Sequence, residues 1–326
     1  MRRPQRLLLL PAALALAGCA TVFDEDDALA ITPYHIEDTG RVVIEVHVNG
    51  RGPYRFALDT AASISVMFEE TRDELAIDYL PNQSALIHGA VAARRFPLIR
   101  VDRIEVGREA WRDARIVSMP GETAAGDTID GILGVDFLRR YAVGFAARNR
   151  TVQLYSPERV DHASLRGWAS VRLDARPIGQ SGAALYFFEI EIEGRRIPAL
   201  FDLGAGLNVI NRPAAEVLGL TPVELREENR VFSDVHGDTP VVARYLAEEV
   251  TLAGIRWRGE TFSVVDLGVF TTLMPDDRPA AILGAGMFSR RNFLIDFVRH
   301  RILVKVSGQG SPVSGRDDHG SRYDPH

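Results

Sequence analysis

One cysteine, Cys19, stands in 326 residues, which excludes an intramolecular disulfide and a thiolate metal cluster. No run of basic residues occurs in the body of the chain, and the net charge of −6 speaks against a nucleic-acid partner. No glycine-rich loop follows a strand and opens a helix, so no nucleotide is implied. His47, His88 and His236 share no metal-ligand spacing on one helix or hairpin, and neither a metal nor another cofactor is expected. The N-terminal apolar run, Leu7 to Leu16, has ten residues, too few to cross a bilayer as a helix. What remains is a chain with 46% hydrophobic and 25% charged residues, the composition of a folded soluble protein, long enough for two ordinary domains or one bilobed one.

Arg2, Arg3 and Arg6 precede that apolar run, the layout of an export signal over residues 1–18. The run closes on Leu16-Ala17-Gly18-Cys19, which resembles the lipobox of bacterial lipoproteins. The resemblance implies cleavage before Cys19, lipidation of that residue, and a protein held at the periplasmic face of a bacterial envelope. Each buried acyl methylene contributes about 0.8 kcal/mol, so several chains on one residue hold firmly. A lipidated Cys19 also leaves no cysteine for catalysis; the alternative is an ordinary secretory signal in which Cys19 is incidental. Residues 19–32, with Asp24-Glu25-Asp26-Asp27, read as a tether, and 307–326, without apolar pattern, as a disordered tail.

The rest of the chain says everything twice. Val42 to Val48 alternates with the period of a half-buried strand, Asn49-Gly50 signals a hairpin, and an apolar run follows into Asp59-Thr60-Ala61. Met67 to Ile77 reads as a short helix. Three strand-like runs come next, Ser84 to His88, Phe96 to Val101 and Trp111 to Val117, then Ile132-Leu133-Gly134, one or two helical turns over Val135 to Tyr141, and a strand from Thr151 to Tyr155. The same order returns as a strand over Leu185 to Gly194, an apolar run into Asp202-Leu203-Gly204, and a helix over Asn211 to Leu218. Ile282-Leu283-Gly284 and a closing strand, Ile302 to Val306, complete it. Asn211 is placed to cap the second helix, with Pro213 in its first turn. A repeat of this length is a domain-sized half rather than a solenoid unit. The expectation is an all-β protein with a few short helices: one lobe over 33–155, a connection over 156–184, and a second lobe over 185–306.

A single aspartate ending a strand is ordinarily a turn former. Two of them, on equivalent loops of halves related by a pseudo-twofold axis, come face to face. Carboxylates in contact cannot both ionise, so the pair shares one proton and titrates as a unit. One member then takes a proton from water while the other gives one to a carbonyl oxygen, which is acid–base hydrolysis of an amide.

At this point the chain resembles the pepsin and retropepsin-like aspartic proteases in bilobal, single-chain form. Asp130-Gly131-Ile132-Leu133-Gly134-Val135-Asp136-Phe137-Leu138 looks like their bacterial retropepsin-like branch. The resemblance runs over about 40–306 and implies two β-barrel lobes with a cleft between them and Asp59 and Asp202 as catalytic groups. It also implies support from Thr60, Ala61, Leu203, Gly204 and the elements Ile132 to Gly134 and Ile282 to Gly284, and a flap at His88-Gly89 or His236-Gly237. The family loop reads Asp-Thr/Ser-Gly. Here the first copy keeps the hydroxyl and loses the glycine; the second keeps Gly204 and has Leu203 in place of the hydroxyl. In the family those hydroxyls cross-bond the loops, so the departures bear on the alignment of the dyad.

The expected activity is that of a membrane-tethered aspartic endopeptidase, a monomer because both halves lie on one chain, acting on a peptide or protein. Its alternative is a protease-like lipoprotein that only binds peptides in the cleft; a homodimeric site is unnecessary. Asp136 and Asp296 read as solvated or capping, Ser63 and Ser65 lack a base to activate them, and Tyr54, Trp111, Phe137 and Phe288 read as core or cleft wall.

Overall fold

The structure, a computed structural model, describes residues 25–37, 39–88, 93–121, 129–162, 165–178, 183–219, 231–234, 237–240, 243–265, 267, 270 and 278–306. The expected signal peptide, Cys19 and the tail over 307–326 lie outside these residues.

The first lobe opens with β1 (Ala30–Ile36), β2 (Val42–Val48) and β3 (Arg51–Leu58). Asn49 and Gly50 turn β2 into β3 with φ of 51° and 77°, the left-handed pair that the Asn-Gly signal predicts. The short β4 (Val66–Phe68) leads directly into helix α1 (Glu69–Glu74). The helix is shorter than the one expected over Met67 to Ile77. Met67 and Phe68 instead complete a strand that lies parallel to the one over Glu109–Met119 and buries both side chains. Strands β5 (Tyr79–His88), β6 (Ala93–Val106) and β7 (Glu109–Met119) extend each run read from the sequence. Next come β8 (Gly131–Leu133), the single turn α2 (Val135–Leu138), β9 (Ala142–Ala146) and β10 (Thr151–Tyr155).

Residues 156–184, expected as a connection, carry helix α3 (Pro157–His162), β11 (Trp168–Arg172), β12 (Asp174–Ile178) and the first residues of β13 (Ala183–Ile192). β13 turns into β14 (Arg195–Asp202) through Glu193 and Gly194, at φ 48° and 73°, so the repeat keeps the hairpin geometry without the Asn-Gly pair. The second lobe continues with β15 (Asn208–Ile210), α4 (Arg212–Leu218), β16 (Val231–Asp234), β17 (Gly237–Pro240), β18 (Ala243–Leu252) and β19 (Ile255–Val264). It closes with β20 (Ala281–Gly284), the turn α5 (Ala285–Phe288), β21 (Phe293–Asp296) and β22 (Arg301–Lys305). Asn211 caps α4 as expected, its side chain accepting from Ala214 N–H.

Both lobes have one topology. In the first the order is β3-β8-β4-β7-β6, with β8 parallel to β3 and antiparallel to β4; in the second it is β14-β20-β15-β19-β18 with the same directions. β2 also pairs with β6, and β13 with β18, which folds each sheet back on itself. The lobes are joined by six strands in the order β11-β22-β21-β9-β10-β1, symmetric about the antiparallel contact of β9 with β21. Phe145 and Phe293 stack across that contact with ring centroids 4.4 Å apart. One apolar cluster runs unbroken from Phe56 through these rings to Phe201 and Phe288. Among the described residues no helix is long and apolar enough to cross a membrane.

Candidate active site

Each aspartate stands where its strand meets the inserted one. Asp59 follows β3 and its N–H donates to Leu133 O at 3.0 Å; Asp202 ends β14 opposite Gly284 of β20. The loops are then clamped by equivalent bonds, Val135 N–H to Ala62 O at 2.8 Å and Ala285 N–H to Ala205 O at 3.0 Å. Only glycine allows so close an approach. A Cβ on Gly134 would lie 2.5 Å from Ala62 O, and one on Gly284 the same distance from Ala205 O.

Asp59 Oδ1 accepts from the N–H groups of Ala61 and Ala62, at 2.7 and 2.8 Å. Asp202 Oδ1 accepts from Gly204 and Ala205, at 2.8 and 3.1 Å. The two carboxyl groups hydrogen-bond each other. Both are densely surrounded yet keep partial exposure. Burial pushes both carboxyls above the usual carboxylate range. Asp59 is held back by its two loop N–H donors, by the charge of Arg41 and by its bond to Asp202. Asp202 goes well up, because the charge of Asp59 adds to burial and outweighs its own loop donors and Arg41. Of the two, Asp202 is the carboxyl pushed further toward its protonated form.

Thr60 is fully buried and links the loops. Its hydroxyl donates to Phe201 O at 2.8 Å and accepts from Leu203 N–H at 3.0 Å. Leu203, also buried, has no hydroxyl to return the exchange and packs into the main apolar cluster. The cross-link is thus one-sided. Gly204 faces the first carboxylate so closely that a Cβ there would sit 2.5 Å from Asp59 Oδ2. Ala61 occupies the equivalent position. Its φ is not positive, so the backbone carries no strain, and its methyl packs against the second lobe's Leu200–Ala205–Ile282 cluster.

Three supporting groups were not read as such from sequence. Ser65 donates its hydroxyl to Asp136 at 2.6 Å and accepts from Gly134 N–H at 3.0 Å, tying the first Asp loop to β8 and α2. Asp136 is therefore a half-buried, hydrogen-bonded partner rather than a solvated residue, with its carboxyl pushed up by burial against the pull of the Ser65 and Phe137 donors. Asn208 does in the second lobe what Ser65 does in the first, accepting from Gly284 N–H at 3.1 Å. Each follows its aspartate by the same interval, and a polar residue in an apolar run at one offset in both repeats was the available signal. The third, Arg41, lies on the β1–β2 turn and acts on both carboxylates; no motif marks it.

Other residues lie apart from the dyad's hydrogen bonds. Asp296 is buried, not solvated, and pairs with Arg299 and Arg301. His88 ends β5 opposite Ala93, and Gly237 begins β17 opposite Asp234, so both flap candidates fall at hairpin ends. Gly89 and His236 lie outside the described residues. Tyr54, Trp111, Phe137 and Phe288 are all buried. Among the described residues no group of His, Cys, Asp or Glu gathers as metal ligands.

Two lobes of one topology, presenting paired aspartate loops across a pseudo-twofold, define the aspartic-protease class of fold. Comparison with known proteins agrees. The sequence profile of the aspartyl protease family matches residues 44–137 and again 188–286, and the chain belongs to that family. Among solved structures it is similar to conglutin gamma, a basic 7S globulin from lupine seeds, at 12% identity and a TM-score of 0.50, covering 85% of this chain and 95% of that one. It is also similar to a protein called EDGP, at 9% identity and a TM-score of 0.50, covering 85% and 94%. At such identities the likeness concerns the fold. No curated protein matches the sequence.

Proposed function

We propose that this protein is an aspartic endopeptidase with an intrachain dyad of Asp59 and Asp202. The supporting observation is the contact between two carboxyl groups whose environments push them apart in acidity. Asp59 takes a proton from water as the oxygen attacks the scissile carbonyl carbon, and Asp202 gives its proton to the carbonyl oxygen. Collapse of the tetrahedral intermediate sends a proton to the leaving nitrogen and restores the pair, so water is added across one C–N bond. The substrate is a peptide or protein, held extended and partly by backbone hydrogen bonds. The enzyme acts as a monomer at the periplasmic face of a bacterial envelope, tethered through lipidated Cys19.

Leu203 favours a second reading, a binding protein that keeps the cleft but aligns the dyad too poorly for turnover. Peptide-library cleavage from about pH 3 to about pH 7, with the parent, Asp59→Asn and Asp202→Asn, separates the two. Cleavage abolished by either substitution supports the enzyme; peptide binding without cleavage at any pH supports the binder. Labelled fatty acid incorporated by the parent but not by Cys19→Ala tests the tether, and equal incorporation or none in either would refute it.

A further inference from the structure

We propose that the junction of the lobes carries an anion-binding site for an acidic peptide segment, separate from the dyad. A recess of about 420 Å³ opens there, between the end of β1, the β9–β10 turn and the start of β21. Arg148 and Arg150 line it from the first lobe and Arg290 from the second, with no carboxylate among its lining residues. All three arginines are exposed and, among the described residues, make no ion pair within 4.0 Å. Asn292, at the same wall, commits its side-chain oxygen to Ala147 N–H at 3.0 Å, so its remaining polar group is a donor. Among the described residues that line the recess every charged side chain is thus a cation, on a protein whose net charge is −6; the counter-charge felt by Arg290 is Glu260, which stands outside the lining.

Three guanidiniums gathered with no carboxylate in the lining repel one another, and each presents the planar fork that takes a carboxylate. The space is that of a small-ligand pocket rather than of a single inorganic anion. Tyr34 and the half-exposed Ile36 supply an apolar wall beside the charges, suited to the methylenes of glutamate side chains. Guanidiniums from both lobes favour a ligand with several carboxylates in a row, which an acidic peptide provides and a lone ion does not.

The recess also adjoins the dyad loops through covalent structure. β1 runs on into Thr39 and Gly40, whose backbone touches Gly206 of the second Asp loop: a Cβ on Gly206 would lie 1.5 Å from Thr39 O. Arg290 follows α5, which starts immediately after Gly284. The chain on two sides of the recess thus leads to the loops that carry the aspartates.

The test is fluorescence anisotropy with a labelled glutamate-rich octapeptide and its glutamine counterpart, on the full chain carrying Asp59→Asn, so that binding is read whether or not the dyad hydrolyses peptides. The acidic peptide is expected to bind, more weakly as salt rises, and the glutamine peptide not to bind. Arg148→Gln, Arg150→Gln and Arg290→Gln together should weaken binding roughly tenfold. Arg112→Gln with Arg115→Gln, exposed on β7, should leave it unchanged. Equal binding of the two peptides, no binding of either, or an equal loss in the β7 control overturns the proposal. So does displacement of the peptide by inorganic phosphate at a lower concentration than by free glutamate, which would mark a small-anion site. A melting temperature matching the parent certifies the triple variant's fold; if it does not match, Arg290→Gln alone with the salt dependence decides by the same criteria.

Discussion

Replacing Thr60 with valine removes one hydroxyl and preserves the shape of the side chain. That hydroxyl donates to Phe201 O and accepts from Leu203 N–H in a site with no solvent exposure, so both backbone groups lose this partner where no water replaces it. Each buried polar group left unsatisfied costs about 1–3 kcal/mol, which sums to about 2–6 kcal/mol for the two, and the added methyl offsets about 1 kcal/mol. Thr60→Ser provides the comparison. It keeps both bonds and loses one methyl, at about 1 kcal/mol. Equilibrium unfolding in urea, followed by far-ultraviolet circular dichroism, should therefore rank the midpoints as parent, then serine, then valine, with the larger step between the last two. The bonds join loops from different lobes, so valine should also lower any hydrolysis through the misalignment of Asp59 and Asp202. A valine midpoint at or above that of serine would refute the claim that this hydroxyl holds the loops together.

Leu203→Thr supplies the missing hydroxyl to the second loop. It should raise kcat/KM for peptide cleavage while lowering stability by about 1–3 kcal/mol for lost apolar burial, measured by initial rates and urea midpoint. Gly204→Ala places a methyl 2.5 Å from Asp59 Oδ2 and must displace that carboxylate; kcat should fall about a hundredfold, with peptide affinity retained in a binding assay. The pH dependence follows from the carboxyls raised by burial. A folded-state value above the unfolded one means that the native state binds more protons between the two, so these groups favour folding at low pH and lose that advantage as pH rises through the folded value. Asp202→Asn should therefore gain stability relative to the parent as pH rises from about 4 to about 7, seen in paired melting curves, and the parent's kcat should fall as Asp202 deprotonates.

The fold was legible because it is written twice. Period-two runs, the Asn49-Gly50 turn and the recurrence of an apolar pair before glycine at Ile132 to Gly134 and Ile282 to Gly284 each have a local physical cause that sequence displays. Where reading failed, contacts between distant segments decided the outcome. Met67 and Phe68 have helical neighbours but join β7 as a strand, and β11 and β12 form inside a stretch whose Gly, Ser and Arg content suggested only a connection. Asp136 looked like a solvated acid because its partner, Ser65, lies 71 residues away. Arg41 had no sequence signal at all, since its effect on the carboxylates depends on how the β1–β2 turn folds over the second loop. The one-sidedness of the Thr60 link, by contrast, was visible at once in Leu203.

The seam between β9 and β21 bears on how that one-sidedness could arise. By the offset that sets Gly284 against Gly134, Phe293 corresponds to Val143 and Ile295 to Phe145. Phe293 opposite Phe145 and Ile295 opposite Val143 are then the same pairing met from either side. That register is the one two identical halves would make across a true twofold axis. In such a dimer every substitution in an aspartate loop would appear on both sides simultaneously, and a leucine in place of the threonine would erase the cross-bond entirely. Joining the halves in one chain uncouples the two loops: Thr60 alone keeps the bridge, Gly204 alone keeps the close approach, and the two halves of the site are free to specialise.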